Sequence, residues 1–357
     1  MTSTLALPAR NDVWRLALVV PQQGPAGIIG PSCEAVAELA ARELNTAGGI
    51  LGREVEIEIV DGAAGPTTVA RRIEELMAAG AIDAISGWHT SDIRNTLAPM
   101  VSGRIPYAYT ALYEGGETHP GVYCTGETPQ IQLEPAMRWM RDFAGIRKWF
   151  VVGSDYVWPR DTMTEVRKFA GDLGLELVGG AFVPVGGAVT ALVERVAQAD
   201  CQAVLMLLLG QDAVRFNRTF AHRGLDTTLM RFSPLMDENM LLATGAANTT
   251  GLMSAAGFFD SQRDADAADL HARYTALHGR FAPVIGGPAE SCYEGIRLLS
   301  SMIERTGSFT APAMAPALDG TAYSGPRGTV EFRHAQARQH IHLAVANGSE
   351  FEVVTDF

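Results

Sequence analysis

The feature that most restricts what this chain can fold into is a repeated alternation of short apolar runs with helical periodicity, separated by only a few residues. The buried-type run Leu16-Ala17-Leu18-Val19-Val20 is followed from about residue 31 to 45 by a pattern that sets Ala35, Leu39, Ala40 and Leu44 on one helix face. Gly48-Gly49 ends that helix by supplying a left-handed turn. The strictly alternating run 55–61 reads as a half-exposed strand near a sheet edge. Helix 67–79, strand 81–86, a helix to residue 102 and strand 106–110 follow. Residues 123–132 carry no periodicity and read as a crossing between lobes. The pattern then restarts, with helices at 133–143, 161–173, 188–199 and 212–223 and strands at 149–152, 175–183, 203–209 and 229–233. An apolar segment 251–259, helices 264–281 and 290–305 and strands 330–334 and 339–346 complete the chain. Such alternation predicts an α/β fold in which parallel sheets are covered on both faces.

Its 357 residues exceed the roughly 250–300 at which single cores stop growing, so two lobes are expected. The formal charge of -12 repels phosphate backbones, and no direct nucleic-acid binding is expected. The best apolar run, 203–210, is of strand length, so no membrane insertion is expected. Residues 1–12 show neither a basic start nor an apolar stretch, which gives a cytoplasmic reading, or a periplasmic one if a signal sequence has been removed. Cys33, Cys124, Cys201 and Cys292 lie too far apart in sequence to form a metal-type pair. The loop Gln22-Gln23-Gly24-Pro25-Ala26-Gly27 lacks the G-x-G-x-x-G spacing of a dinucleotide site. The histidines show no H-x-x-x-H, the nearest group being His334, His340 and His342, so neither cofactor nor metal is expected.

Ligands in open α/β sheets sit beyond the carboxyl ends of strands. The stretch Val151-Val152-Gly153-Ser154-Asp155-Tyr156-Val157-Trp158-Pro159-Arg160-Asp161 places two aromatic side chains there, a surface suited to gripping a small molecule. Ser91, at the start of a helix, reads as an N-cap whose neighbouring free N–H groups can receive a carbonyl or carboxylate oxygen. His89 and Asp92 flank it, but neighbours in sequence seldom form a triad and no G-x-S-x-G elbow is present, so no enzyme is expected. Asp237 and Glu238 follow a strand end, where an acid is equally explained by a helix dipole. Phe259, Tyr293 and Trp88 are candidates for an aromatic wall or for core.

The motifs Leu44-Asn45-x-x-Gly48-Gly49-Ile50-Leu51-Gly52-Arg53, the Gly87 loop, Tyr113-Glu114-Gly115 and Gly153-Ser154-Asp155-Tyr156-Val157-Trp158-Pro159-Arg160 together resemble the type I periplasmic-binding-protein fold. This is the family of leucine/isoleucine/valine-binding proteins and their amide- and urea-binding relatives. The last two motifs look closest to the cytoplasmic amide sensor that controls aliphatic-amidase operons. The resemblance implies two doubly wound lobes, 1–126 plus 253–325 and 127–252 plus 326–357, joined by three crossovers near Gly126, Leu252 and Gly325. Carried over position by position, it makes Ser91 the hydroxyl for the ligand's polar head, Tyr109 an aromatic wall, and Tyr156 and Trp158 the second-lobe closure. Ala111 stands where the amide sensors have a threonine, so the hydroxyl is missing unless Thr110 turns inward. In amino-acid-binding relatives an acid near Asp237 pairs the ligand's ammonium. The expected function is a cytoplasmic sensor of a small amide or related polar molecule that regulates an amidase or nitrile-degradation operon through lobe closure, its partners being a small polar ligand (amide, urea or amino acid) and a regulator protein, with a homo-oligomer left open. The alternatives are the substrate-binding component of an ABC importer for branched-chain amino acids, amides or urea, and an enzyme on the same scaffold.

Overall fold

The computed structural model describes residues 12–318, 322–333 and 335–357. The first residues of the chain, and with them the reading of residues 1–11, lie outside this range, as does His334. The chain begins with β1 (Val13–Val20), a 3-10 turn (Pro25–Ile28), α1 (Gly30–Thr46), β2 (Glu54–Asp61), α2 (Pro66–Ala78), β3 (Ala84–Gly87), α3 (Ser91–Val101), β4 (Tyr107–Tyr109) and β5 (Val122–Cys124). It then crosses to a second lobe through α4 (Pro129–Ala144), β6 (Lys148–Ser154), α5 (Val157–Asp172), β7 (Glu176–Val183), α6 (Thr190–Ala197) and β8 (Ala203–Leu207). That lobe continues with α7 (Gln211–His222), β9 (Met230–Ser233), α8 (Glu238–Thr244) and β10 (Leu252–Ala256). Helices α9 (Ala265–His278), α10 (Gly287–Thr306) and α11 (Ala311–Leu318) and strands β11 (Ala322–Gly325), β12 (Gly328–Arg333) and β13 (Gln336–Arg338) return to the first lobe. The terminal hairpin β14 (His342–Asn347) and β15 (Glu350–Asp356) belongs to the second.

Each lobe is built on one sheet, ordered β11-β12-β13-β5-β4-β3-β1-β2 in the first and β15-β14-β10-β9-β8-β6-β7 in the second. Strands β1 to β5 pair in parallel, as do β6 to β10. β1 is buried apart from Arg15 because it lies inside its sheet with helices on both faces, whereas β2 at the sheet edge keeps the alternation of an exposed face. Helices α1 and α10 pack against each other on one face and bury Cys33 and Cys292.

Two boundaries differ from expectation. The third crossover does not lie near Gly325, and 326–338 do not belong to the second lobe. β12 and β13 extend the first sheet, β13 pairing with β5 through Gln336↔Cys124, so the crossing falls at 339–341. The second crossover likewise follows Ala256, because β10 pairs with β9 and β14 of the second sheet. The helix expected from residue 161 starts at Val157: Pro159 sits in the first turn, where its missing N–H leaves no bond unmade.

Candidate functional site

The lobes are closed on each other. The backbone of Pro25, in the turn after β1, abuts Gly210, which precedes α7, so closely that a Cβ on Gly210 would lie 2.0 Å from the Pro25 carbonyl oxygen. Helix α3 of the first lobe also packs on α5 of the second. Between them is a cavity of about 230 Å³, its walls drawn from both lobes. Pro21, Gln23 to Ala26, Ala63 and Trp88 to Thr90 line it from the first lobe, with Asp92 and Ile93. Tyr156, Val185 and Leu209 close it from the second. No lysine or arginine is in this wall, and Asp92 is its one carboxylate.

The polar end is the start of α3. Thr90 is the N-cap, but its hydroxyl makes no capping bond to the first turn. That leaves a hydroxyl and helix N–H groups beside the cavity, a combination suited to a carbonyl or carboxylate oxygen. Opposite stands the Tyr156 ring, with Trp158 behind it at 6.3 Å between centroids. Burial first, then Tyr109, Asp92 and Glu114 of the first lobe, hold the Tyr156 phenol well above its ordinary pKa, so it offers a proton at any physiological pH.

Ser91 is placed differently from expectation. It is buried and its Oγ donates to Glu114 Oε2 at 2.7 Å, away from the cavity wall. Glu114 Oε1 accepts from Arg94 at 2.6 Å, and Arg94 pairs again with Glu117 at 3.2 Å while lying over the Tyr113 and Tyr109 rings. The Tyr113-Glu114-Gly115 motif thus anchors the base of α3. Tyr109 is fully buried, its hydroxyl donating to the His89 carbonyl at 2.9 Å. His89 donates from Nδ1 to the Val19 carbonyl at 3.1 Å and accepts at Nε2 from the Tyr107 hydroxyl at 2.5 Å. Both ring nitrogens are therefore occupied, burial lowers the pKa to about 3, and His89 makes no hydrogen bond to Ser91.

Thr110 and Asp237 line a second, inner chamber of about 20 Å³ with Trp88, Leu112, Glu127 and Ser291, and Trp88 borders both chambers. A space of this size is enough for about one water. Asp237 caps α8 through Oδ1, which accepts from the Met240 N–H at 2.8 Å, while its buried Oδ2 has no partner; burial raises its pKa to about 6. Ala111 lies under the first crossover, where a Cβ on Gly126 would be 1.9 Å from the Ala111 carbonyl oxygen. Trp158 is buried in the first turn of α5 and supports Tyr156 from behind. Phe259 is corrected from wall to core: its ring packs 5.1 Å from Phe351 of the terminal hairpin. Of the expected ligand contacts Tyr156 lines the outer cavity, and so does Trp88, a candidate for its aromatic wall. Gln23, Pro25, Thr90, Val185 and Leu209 were not foreseen; the sole signal for the first two was a Gly-Pro loop after β1, and none marked Val185 or Leu209.

Residues 13–349 match the periplasmic binding protein family. A solute binding protein of an ABC transporter from Rhodopseudomonas palustris BisB5, solved with 3,4-dihydroxybenzoic acid, superposes with a TM-score of 0.87 at 22% identity over 97% of each chain. A branched-chain amino acid transporter substrate binding protein from Streptococcus pneumoniae, solved with isoleucine, gives 0.84 at 15% identity over 96% of this chain and 98% of that one. An ABC transporter substrate-binding protein from Sphaerobacter thermophilus gives 0.82 at 21% identity over 96% and 97%. At these identities the likeness is one of fold.

Proposed function

This chain belongs to the periplasmic binding protein family, and from that premise we propose that it is the substrate-binding component of an ABC importer, working outside the cytoplasmic membrane. The observation that carries the reading is the cavity of about 230 Å³ with walls from both lobes. Lobe closure then reports occupancy to a permease, because a ligand that touches both lobes binds the closed form better than the open one. An apolar cavity of about 150 Å³ accepts benzene, so this one suits a single ring or a branched aliphatic chain carrying a small polar head. The head would bind at the start of α3 and Thr90, and the body against Trp88, Ile93, Tyr156 and Leu209.

A second reading, a cytoplasmic amide sensor acting on a regulator, is favoured by the absence of lysine and arginine from the wall. A neutral amide leaves no charge uncompensated there, and its N–H groups have an acceptor in Asp92. One thermal-shift panel tests both: benzoate, 4-hydroxybenzoate and isoleucine against benzamide, acetamide and urea. Saturation at about 100 times Kd adds about 2.7 kcal/mol to the native state. Shifts by the acids or the amino acid support the importer reading; shifts by amides alone fit the sensor and an amide importer alike, which fractionation of source cells into periplasm and cytoplasm then separates. Steady ammonia release from the amides would overturn both.

A further inference from the structure

All three segments that join the lobes meet around one buried arginine, two of them bonding it directly and the second through Glu127. Arg327, in the turn between β11 and β12, donates from Nε to Glu290 Oε2 at 2.7 Å and from Nη2 to the same oxygen. Its Nη1 donates to Gln339 Oε1 in the third crossover at 2.8 Å and lies 3.5 Å from Glu127 Oε1 in the first. Glu127 Oε1 also accepts from the Gly257 N–H of the second crossover at 2.9 Å, and Gln339 Nε2 donates to the Thr125 carbonyl of the first at 3.1 Å. A Cβ on Gly257 would lie 2.9 Å from Arg327 Nη1 and 3.0 Å from Glu127 Oε1 and would push one of them aside.

The charges in this cluster do not balance. Glu127, Glu290 and Glu294 share the single guanidinium, and Glu294 lies one helical turn beyond Glu290 on α10. Glu290 Oε1 and both Glu294 oxygens are buried without a well-formed hydrogen bond, the Tyr323 hydroxyl and the Arg327 backbone being the nearest donors to Glu294. The Glu294 carboxyl is pressed against the β11–β12 turn, where a Cβ on Gly325 would be 2.0 Å from its Oε1. Two carboxylates one helical turn apart, both buried beside a single guanidinium, cannot both ionise without a large penalty. Burial pushes both Glu290 and Glu294 above the ordinary carboxyl range. The other titratable groups facing the cluster are Tyr323 of β11, a phenol kept protonated by burial and then by Glu294, and His342 of β14, whose pKa burial pushes down.

We propose that Glu290 and Glu294 share one proton, and that this proton leaves Arg327 free to hold Glu127 and Gln339, so that its loss to solvent unclasps the crossovers and loosens the hinge toward opening. The sign follows from linkage. The folded chain holds a proton that the unfolded chain releases near the ordinary glutamate range of about 4.3. The stability the proton confers is therefore largest at or below that range and falls as pH rises toward the folded pKa. The limit is a tenfold loss in the folded-to-unfolded ratio per pH unit.

The test needs no ligand, so its outcome is separate from that of the importer reading. Melting temperature and radius of gyration are followed from about pH 5 to about pH 9 for the native protein, for Glu294→Gln, and for Glu331→Gln as an exposed control on β12. Glu294→Gln replaces the shared proton with an amide N–H. It is expected to flatten both profiles, while the native protein and the control lose stability and expand as pH rises. Infrared spectra of the native protein should show a protonated-carboxyl band persisting at neutral pH. Absence of that band, or a Glu294→Gln slope equal to the native one, overturns the proposal.

Discussion

Gly210→Ala is expected to impair closure without dismantling either lobe. Gly210 has φ 48° and ψ -115°, a backbone in which a Cβ costs roughly 1–3 kcal/mol. That part is local and is read as a lower melting temperature. The larger effect crosses the cleft. The new Cβ would lie 2.0 Å from the Pro25 carbonyl oxygen, more than an ångström inside ordinary contact, and backbone cannot turn aside as a side chain can. Relief requires the lobes to part at this point. At about 1–3 kcal/mol for an overpacked contact and about 1.4 kcal/mol per tenfold, ligand affinity should fall roughly 5- to 140-fold. Gly186→Ala is the control: φ is also positive, at 79°, but its Cβ would meet only Pro25 Cγ at 3.8 Å, so it carries the strain without the clash. Calorimetric titration with the compound found in the thermal-shift panel, together with solution scattering, gives the comparison. Native affinity and a native radius for Gly210→Ala would refute the account of closure.

Ser91→Ala should leave binding within about two- to threefold, because its hydroxyl serves Glu114, and should cost about 1 kcal/mol in denaturant unfolding. Tyr156→Ala, by contrast, removes cavity wall and should weaken the same ligand about 2- to 12-fold in titration, in line with aromatic contacts of about 0.5–1.5 kcal/mol. Arg94→Ala leaves Glu114 and Glu117 without their buried counter-ion and should destabilise by about 3–5 kcal/mol in urea unfolding. For Asp237, a folded pKa of about 6 lies above the unfolded value, so the ionised carboxylate is a cost, absent near pH 4 and complete above about pH 6. Asp237→Asn keeps an acceptor for the Met240 N–H and should therefore raise stability by on the order of 2 kcal/mol at neutral pH, with no gain in melts at about pH 4.

The sheet-and-helix plan was legible because burial on both faces forces each inner strand to be continuously apolar, as in β1 and β8, and each helix to carry one apolar stripe. What the pattern could not reveal was partner choice. β12 alternates buried and exposed residues wherever it docks, and only the pairing of β13 with β5 assigns it to the first lobe. The site was legible at Tyr156 because an aromatic after a strand end has few other uses. Ser91 misled for a physical reason: a hydroxyl at a helix start can turn to solvent or to a buried acid, and Glu114, more than twenty residues on, decides which. The hinge cluster of Glu127, Glu290, Arg327 and Gln339 was invisible because its members are scattered along the chain and meet only once both lobes exist.

The interleaving of the two lobes bears on how the protein is made. The first sheet has to receive β13 beside β5, and the second is completed by β14 and β15, so the first is not whole until β13 has been synthesised and the second until β15 has. A ribosome moving at about 5–20 residues per second therefore holds the open edge of β10 for seconds before its neighbour arrives. Nascent chains of this design have reason to depend on holding factors during translation, and removal of the last hairpin should cost the second lobe as a unit.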